Sequence, residues 1–149
     1  MKSKLLVSAC LLGICCRYDG KHNLLSQQTL EKLKDHYELI PACPEQLGGL
    51  STPRLPAEIQ ENGQVMREDG KDVNSEFVRG ANEAYKIAKF SECKTALLKS
   101  NSPSCGNKKV YNGSFEGVLV AGKGVTAKLF EKKGIKVYNE EQIIKLIKE

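Results

Sequence analysis

The stretch Lys4-Leu5-Leu6-Val7-Ser8-Ala9-Cys10 sets the architecture: an apolar run of strand length that closes on small residues and then a cysteine. Consecutive apolar positions, in place of strict alternation, suit a strand buried on both faces of a sheet. The same pattern returns in Leu39-Ile40-Pro41-Ala42-Cys43 and in Leu97-Leu98-Lys99-Ser100-Asn101-Ser102-Pro103-Ser104-Cys105. Outward from these runs, helical and extended segments alternate. Residues 29–34 read as a short helical piece ahead of the strand 37–42, and 74–89 as an amphipathic helix carrying Phe77, Val78, Ala81, Ala84, Tyr85 and Ala88 on one face. Residues 95–98 read as a third strand and 117–121 as a fourth. A helix over 125–132, closed by Gly134, leads to a fifth strand over 135–138. A last helix over 140–148 has acids in its first turn and lysines in its last, matching the helix dipole. Strands alternating with helices imply an α/β fold: one domain over 1–149, a three-layer αβα sandwich with a mostly parallel, about five-stranded, Rossmann-like sheet. Residues 47–72, with Gly48, Gly49, Pro53, Pro56, Gly63 and Gly70, read as a long loop, and loops of that length in small domains tend to carry function.

Composition narrows the class. The chain has 149 residues, 40% hydrophobic and 28% charged, enough to bury a proper core without staples. It contains no apolar run long enough to cross a bilayer as a helix. Val7-Ser8-Ala9-Cys10 imitates a lipid-attachment box, but only nine residues precede the cysteine, against the roughly 15–30 of a secretory signal. The segment is therefore read as a strand and the protein as cytoplasmic, with no membrane partner. Four Phe, five Tyr and no Trp argue against a stacking platform for single-stranded nucleic acid, so no stable nucleic-acid partner is expected. The formal charge of +5 comes entirely from residues 99–149, which carry 10 basic and 5 acidic side chains. That excess suits either a solvated lysine-rich face or an anionic small ligand.

The cysteines carry the chemistry. Six are present and none form a C-x-x-C pair, which disfavours a zinc ribbon or a thioredoxin motif. Cys10, Cys43 and Cys105 each follow a strand, and in a parallel sheet the strands' carboxyl ends share one edge where ligands bind. Three thiolates at one place repel each other unless a metal centre neutralises them. Each could instead be an ordinary buried thiol. Soft thiolates favour zinc or iron–sulfur. Zinc would need a fourth ligand, for which only His22 and His36 are available. A cubic cluster on three cysteines would leave one iron open. Cys15 and Cys16 are adjacent and poorly suited to share a cluster, and Cys93 reads as packing.

Acid–base candidates lie beside them. Glu45, in Cys43-Pro44-Glu45, sits where partial desolvation would raise its pKa and suit it to moving a proton, or where it could simply pair with Arg54. Ser102 and Ser104 flank Pro103; either hydroxyl could hold a carbonyl or a water, or cap its own turn. A phosphatase-type loop is discounted, because six residues separate Cys10 from Arg17 where five are required. Gly122-Lys123-Gly124-Val125-Thr126-Ala127 matches G-x-G-x-x-A, with Glu140 eighteen residues on. Placed last in the chain, it is a weak dinucleotide site but an adequate helix start for one phosphate.

Taken together, Ser8-Ala-Cys10-Leu-Leu-Gly13, Cys16-Arg-Tyr-Asp-Gly20, Cys43-Pro-Glu45, Gly48-Gly49, Thr52-Pro-Arg54-x-Pro56, Lys99-Ser-Asn-Ser-Pro-Ser-Cys105-Gly106 and Gly124-Val-Thr-Ala127 resemble the thiouracil desulfidase (TudS) family over nearly the whole chain. The resemblance implies an oxygen-sensitive 4Fe–4S cluster on Cys10, Cys43 and Cys105, and catalytic roles for Glu45 and Ser102. Lys21-His22 stands where the family tends to have another glycine, and Asn101 stands in a variable place; neither departure touches these groups. The implied reaction is a non-redox hydrolysis of a thiolated uracil base or nucleotide to the oxo form plus sulfide. The open iron would supply a Lewis acid, and Glu45, assisted by Ser102, would deprotonate the attacking water. One domain points to a free thiobase or its nucleotide as partner, and no protein partner is evident. A nucleotide would place its phosphate on the helix start at 122–126. The competing classes are a non-catalytic iron–sulfur carrier or redox sensor and a zinc-binding module.

Overall fold

Leu5, Leu6 and Val7 are all fully buried, yet they face two different cores. The computed structural model, which describes residues 2–147, shows why. Its elements in chain order are β1 (Ser3–Ser8), α1 (Gln27–His36), β2 (Tyr37–Ala42), α2 (Pro44–Leu47), β3 (Ala57–Ile59), β4 (Val65–Arg67), α3 (Asn74–Phe90), β5 (Thr95–Leu97), β6 (Lys109–Tyr111), β7 (Leu119–Ala121), α4 (Val125–Lys132), β8 (Lys136–Tyr138) and α5 (Ile143–Ile147). The central sheet has four strands in the order β2-β1-β5-β8, every neighbouring pair parallel. Leu5 stands opposite Leu39 on one side and Thr95 on the other, and Thr95 opposite Lys136.

Successive side chains leave a strand on opposite faces. Leu6, Ala96, Leu98 and Val137 therefore point one way, into a core closed by Ala84 and Ala88 of α3 and Ala127 and Phe130 of α4. Leu5, Val7 and Leu97 point the other way, against Leu33 of α1 and Leu146 of α5. With both faces covered, β1 has no polar side, hence its unbroken apolar run. Local signals fix the helix starts. Ser26 Oγ accepts from Thr29 N at the start of α1, and Asn139 forms a capping box with Gln142 over the 3-10 turn Glu140–Gln142 that feeds α5.

Three expectations from the sequence change. The run 117–121 does not join the central sheet: only Leu119–Ala121 is extended, and it pairs antiparallel with β6 as a separate two-stranded sheet. Its Leu119 and Val120 are 39% and 41% exposed, so its apolar composition imitated a buried strand. The segment 47–72 contains the antiparallel hairpin β3–β4, with Ala57 opposite Arg67. The last helix of 140–148 begins as the 3-10 turn, continues as α5, and its expected end at Lys148 lies outside the described residues. Among the described residues no helix is long and apolar enough to cross a membrane.

Cys10 follows β1 in the 3-10 turn Ala9–Leu12, Cys43 follows β2, and Cys105 lies in the loop after β5. All three sit at the carboxyl edge of the parallel sheet.

Candidate metal centre and active site

Each cysteine is held at that edge by a different backbone device. Cys10 is clamped through its carbonyl, which accepts from Gly13 N and from Asn23 N at 2.8 Å, while Asn23 Nδ2 donates to the thiol at 3.4 Å. Cys43 is the N-cap of the one-turn helix α2, with Pro44 at the first helical position. That helix rests directly on α3: a Cβ on Gly80 would stand 1.9 Å from Pro44 O, and one on Gly48 2.0 Å from Glu76 O. Only glycine permits so close a backbone approach. Cys105 closes a tight turn in which Ser102 Oγ accepts from Ser104 N at 3.1 Å and Cys105 N at 3.0 Å. Ser8, the last residue of β1, links two loops: its Oγ accepts from Lys99 N at 2.9 Å and donates to Cys105 Sγ at 3.4 Å.

The start of α4 braces the Cys105 turn. Gly124 N donates to Gly106 O, Val125 N to Pro103 O, and Thr126 N and Ala127 N both to Ser104 O, while Ser104 and Thr126 share a buried hydroxyl–hydroxyl contact of 2.7 Å. A Cβ on Gly124 would meet Ser104 C at 2.4 Å. The G-x-G-x-x-A run thus serves close packing. Of the amides expected to receive a phosphate at 122–126, those of Gly124, Val125 and Thr126 are instead spent on the loop that carries Cys105.

Cys10, Cys43 and Cys105 line one cavity of about 460 Å³ together with Glu45, Ser102, Arg54, Lys99, Tyr18, Tyr111 and Phe115. Cys16, which sequence spacing set aside, lines it as well and hydrogen-bonds the thiols of both Cys10 and Cys43. These bonds outweigh burial and bring Cys10 and Cys43 down to about 7, with help from Asn23 and Lys99 for the former and from Gln46 N and Arg54 for the latter. The same contacts, with burial, push the Cys16 thiol well above its ordinary value, and its carbonyl accepts from the Cys43 thiol at 3.8 Å. Burial pushes Cys105 up to about 12 despite its hydrogen bond from Ser8. Of the other thiols, Cys15 is exposed and Cys93 is packed in the core beneath α3 and α4. His36 ends α1 with its ring on Lys32 O, and His22 Nδ1 accepts from Leu24 N; neither lines the cavity.

Glu45 faces the same space. Its Oε1 accepts from Arg54 Nε at 3.1 Å, and Arg54, its side chain only 6% exposed, also donates to Cys16 O at 3.0 Å and to Ser51 O. Burial drives the Glu45 carboxyl above its usual range, and the arginine only partly restrains it. Both readings of Glu45 therefore hold at once: it is paired with Arg54 and desolvated beside the thiols. Ser102 keeps its O–H available to the cavity, because its hydrogen bonds to Ser104 N and Cys105 N use the oxygen as acceptor.

The donor set fits an iron–sulfur cluster. Two thiols are poised to ionise near neutrality, and a third, deeply buried one needs the charge of a metal to do so. Thiols spread around a cavity match a cluster, in which each cysteine holds a different iron.

The model of the family described as 2-thiouracil desulfurase matches residues 5–142. The chain belongs to the 2-thiouracil desulfurase family. A solved structure of a 4Fe–4S-dependent thiouracil desulfidase, TudS, superposes with a TM-score of 0.92 at 46% identity, covering 97% of this chain and 95% of that one. The Bacillus subtilis (strain 168) protein YbbK, whose name describes it as uncharacterized, is 40% identical over 93% of this chain and 97% of its own length. Family membership agrees with the parallel sheet and the cysteine-lined edge. Sequence spacing did not expose Cys16, Ser8, Asn23 or the bracing role of α4. The motifs Ser8-Ala-Cys10, Cys16-Arg-Tyr-Asp-Gly20 and Gly124-Val-Thr-Ala127 hinted at Ser8, Cys16 and the start of α4, and nothing local hinted at Asn23.

Proposed function

We propose that this protein is a 4Fe–4S-dependent desulfidase that replaces the thiocarbonyl sulfur of an uncharged thiouracil with oxygen. Thiocarbonyl and water become carbonyl and hydrogen sulfide, with no net electron transfer. The observation that carries the reading is the meeting of Glu45 and three strand-end cysteines around one cavity. Cys10, Cys43 and Cys105 would hold the cluster, whose cysteine-free iron supplies a Lewis acid for the thiocarbonyl sulfur when bound. Glu45, with Oε1 fixed by Arg54, uses Oε2 to orient a water and take its proton, then returns that proton to the departing sulfur. Ser102, rigidly seated by its two backbone donors, offers its O–H to the same water or to the forming carbonyl oxygen. Family membership and the TudS likeness favour this reading over an electron carrier or a zinc module.

The charges around the cavity favour a free base over a nucleotide. Its three cationic lining residues are already paired: Arg17 with Asp19 at 3.0 Å, Arg54 with Glu45 at 3.1 Å, and Lys99 with Glu140 at 2.9 Å. Glu58 and Glu68 add negative charge to the wall. Six free cysteines and an iron–sulfur cofactor suit a reducing compartment, and we assign the protein to the cytoplasm and expect sensitivity to oxygen.

Anaerobically purified protein should convert 2-thiouracil to uracil and sulfide in equal amounts. Glu45→Gln should keep the brown colour and iron content and lose turnover by about 10²–10⁴-fold, the usual worth of a positioned acid–base group. Wild-type activity should fall as pH drops through the Glu45 pKa, which burial holds above the ordinary carboxylate value, because the protonated form cannot accept a proton. Arg54→Gln removes the restraining charge and should move that limb to higher pH. Retained turnover in Glu45→Gln would remove its assigned role.

A further inference from the structure

We infer that Phe115 is the residue on which the flat ring of the substrate stacks, and that Glu58 is the positioning residue that holds it there; this rests on the desulfidase reading above. Phe115 sits in the loop joining β6 to β7 and lines the cavity that contains the cysteines and Glu45. Its φ is +58°, in the left-handed region that a bulky side chain avoids. Such a conformation persists only when its surroundings impose it, and it is characteristic of functional sites.

The imposing group is on the page. Glu58, on β3 and only 8% exposed, places Oε1 2.9 Å from Gly113 N and 3.1 Å from Phe115 N, accepting from both. Gln60, two residues on, donates from Nε2 to Gly113 O at 3.2 Å. A hairpin from the first half of the chain thus grips the tip of a hairpin from the second. A buried carboxylate committed to two backbone amides fixes a loop firmly. Were the loop only a connector, glycine at 115 would adopt this backbone without strain.

The aromatic distribution points the same way. The chain has nine aromatic residues, and three of them, Tyr18, Tyr111 and Phe115, line this one cavity. Phe115 brings no hydroxyl, so its contribution to a ligand is its ring face. The class of ligand served is a single planar heteroaromatic ring bearing a thiocarbonyl, as distinct from an acyclic thioamide or thiourea.

The test uses the anaerobic holoenzyme with 2-thiouracil and thiourea as substrates, and calorimetric titration with uracil, the product, as a readout independent of turnover. Phe115→Leu should raise KM for 2-thiouracil about tenfold and weaken uracil binding by a similar factor, within the range for loss of one base–aromatic stack. The loss should fall on KM and not on kcat, and the preference for 2-thiouracil over thiourea should shrink. Phe115→Tyr should restore both. Glu58→Ala should repeat the Phe115→Leu pattern, and Glu58→Gln, which keeps an oxygen acceptor, should recover most of it. Equal behaviour of Phe115→Leu and Phe115→Tyr, or an unchanged KM and uracil affinity in Phe115→Leu, would overturn the inference while leaving the desulfidase reading intact. Wild-type protein inert toward 2-thiouracil with its cluster loaded would instead sink the desulfidase reading itself.

Discussion

The sheet interior buries Leu5, Leu6, Val7, Ala96 and Leu97 at 0% exposure, hydrocarbon against hydrocarbon, whereas the strand end, loops, hairpin and helix start around the site bury Ser8, Glu58, Ser104, Asn107 and Thr126, each engaged in a hydrogen bond. Among the described residues no buried side-chain nitrogen or oxygen lacks a partner. The two halves obey different physics. Apolar burial is non-directional and tolerates small shifts, so it sets whether the chain folds. Hydrogen bonds have fixed lengths and angles, so they set where a thiol or carboxylate points. Substitutions in the first region should therefore cost stability, and those in the second should cost chemistry.

Phe130→Ala offers the strongest attempt to break that division. Phe130 is fully buried under the sheet, and its truncation should destabilise the fold by ~3–5 kcal/mol, seen as a large fall in melting temperature. Molecules that remain folded in the cold should turn over at nearly the wild-type rate per bound cluster. A comparable loss of turnover there would show that the core positions the site after all. Gly80→Ala sharpens the boundary, because it lies in a helix yet touches the site's backbone. The added methyl would collide with Pro44 O, at an overpacking cost of ~1–3 kcal/mol. This is opposed by the ~1 kcal/mol that alanine ordinarily contributes over glycine in a helix. Since Pro44 lies between Cys43 and Glu45, turnover per cluster should drop well beyond the stability change. Unimpaired turnover would mean that α2 can slide on α3 without consequence.

Most of the framework was legible because its signals are local. The unbroken run of β1 and the spacing of Phe77, Ala81, Ala84 and Ala88 each follow from short-range patterning. The strand over 117–121 was misplaced because an apolar run does not say which sheet it joins. Leu119–Ala121 pairs with β6 at the rim and stays partly exposed. The hairpin β3–β4 escaped notice because its strands are three residues each, too short for a pattern amid glycines and prolines. At the site, the convergence of Cys10, Cys43 and Cys105 followed from strand topology. Cys16 did not, since its approach to Cys10 and Cys43 depends on the fold of the loop after β1 and on Arg54 holding its carbonyl. The helix start at 122–126 looked like an anion site because sequence shows free amides and not the carbonyls that consume them.

The central claim is that three strand-end thiols, and not the other three, hold an iron–sulfur cluster. Iron and acid-labile sulfide counting on anaerobically purified wild type, Cys10→Ser and Cys93→Ser tests it most directly. The account expects about four irons and four sulfides in the wild type and in Cys93→Ser, and their loss in Cys10→Ser. Zinc or no metal in reconstituted wild type, or iron lost from Cys93→Ser and retained in Cys10→Ser, would contradict it.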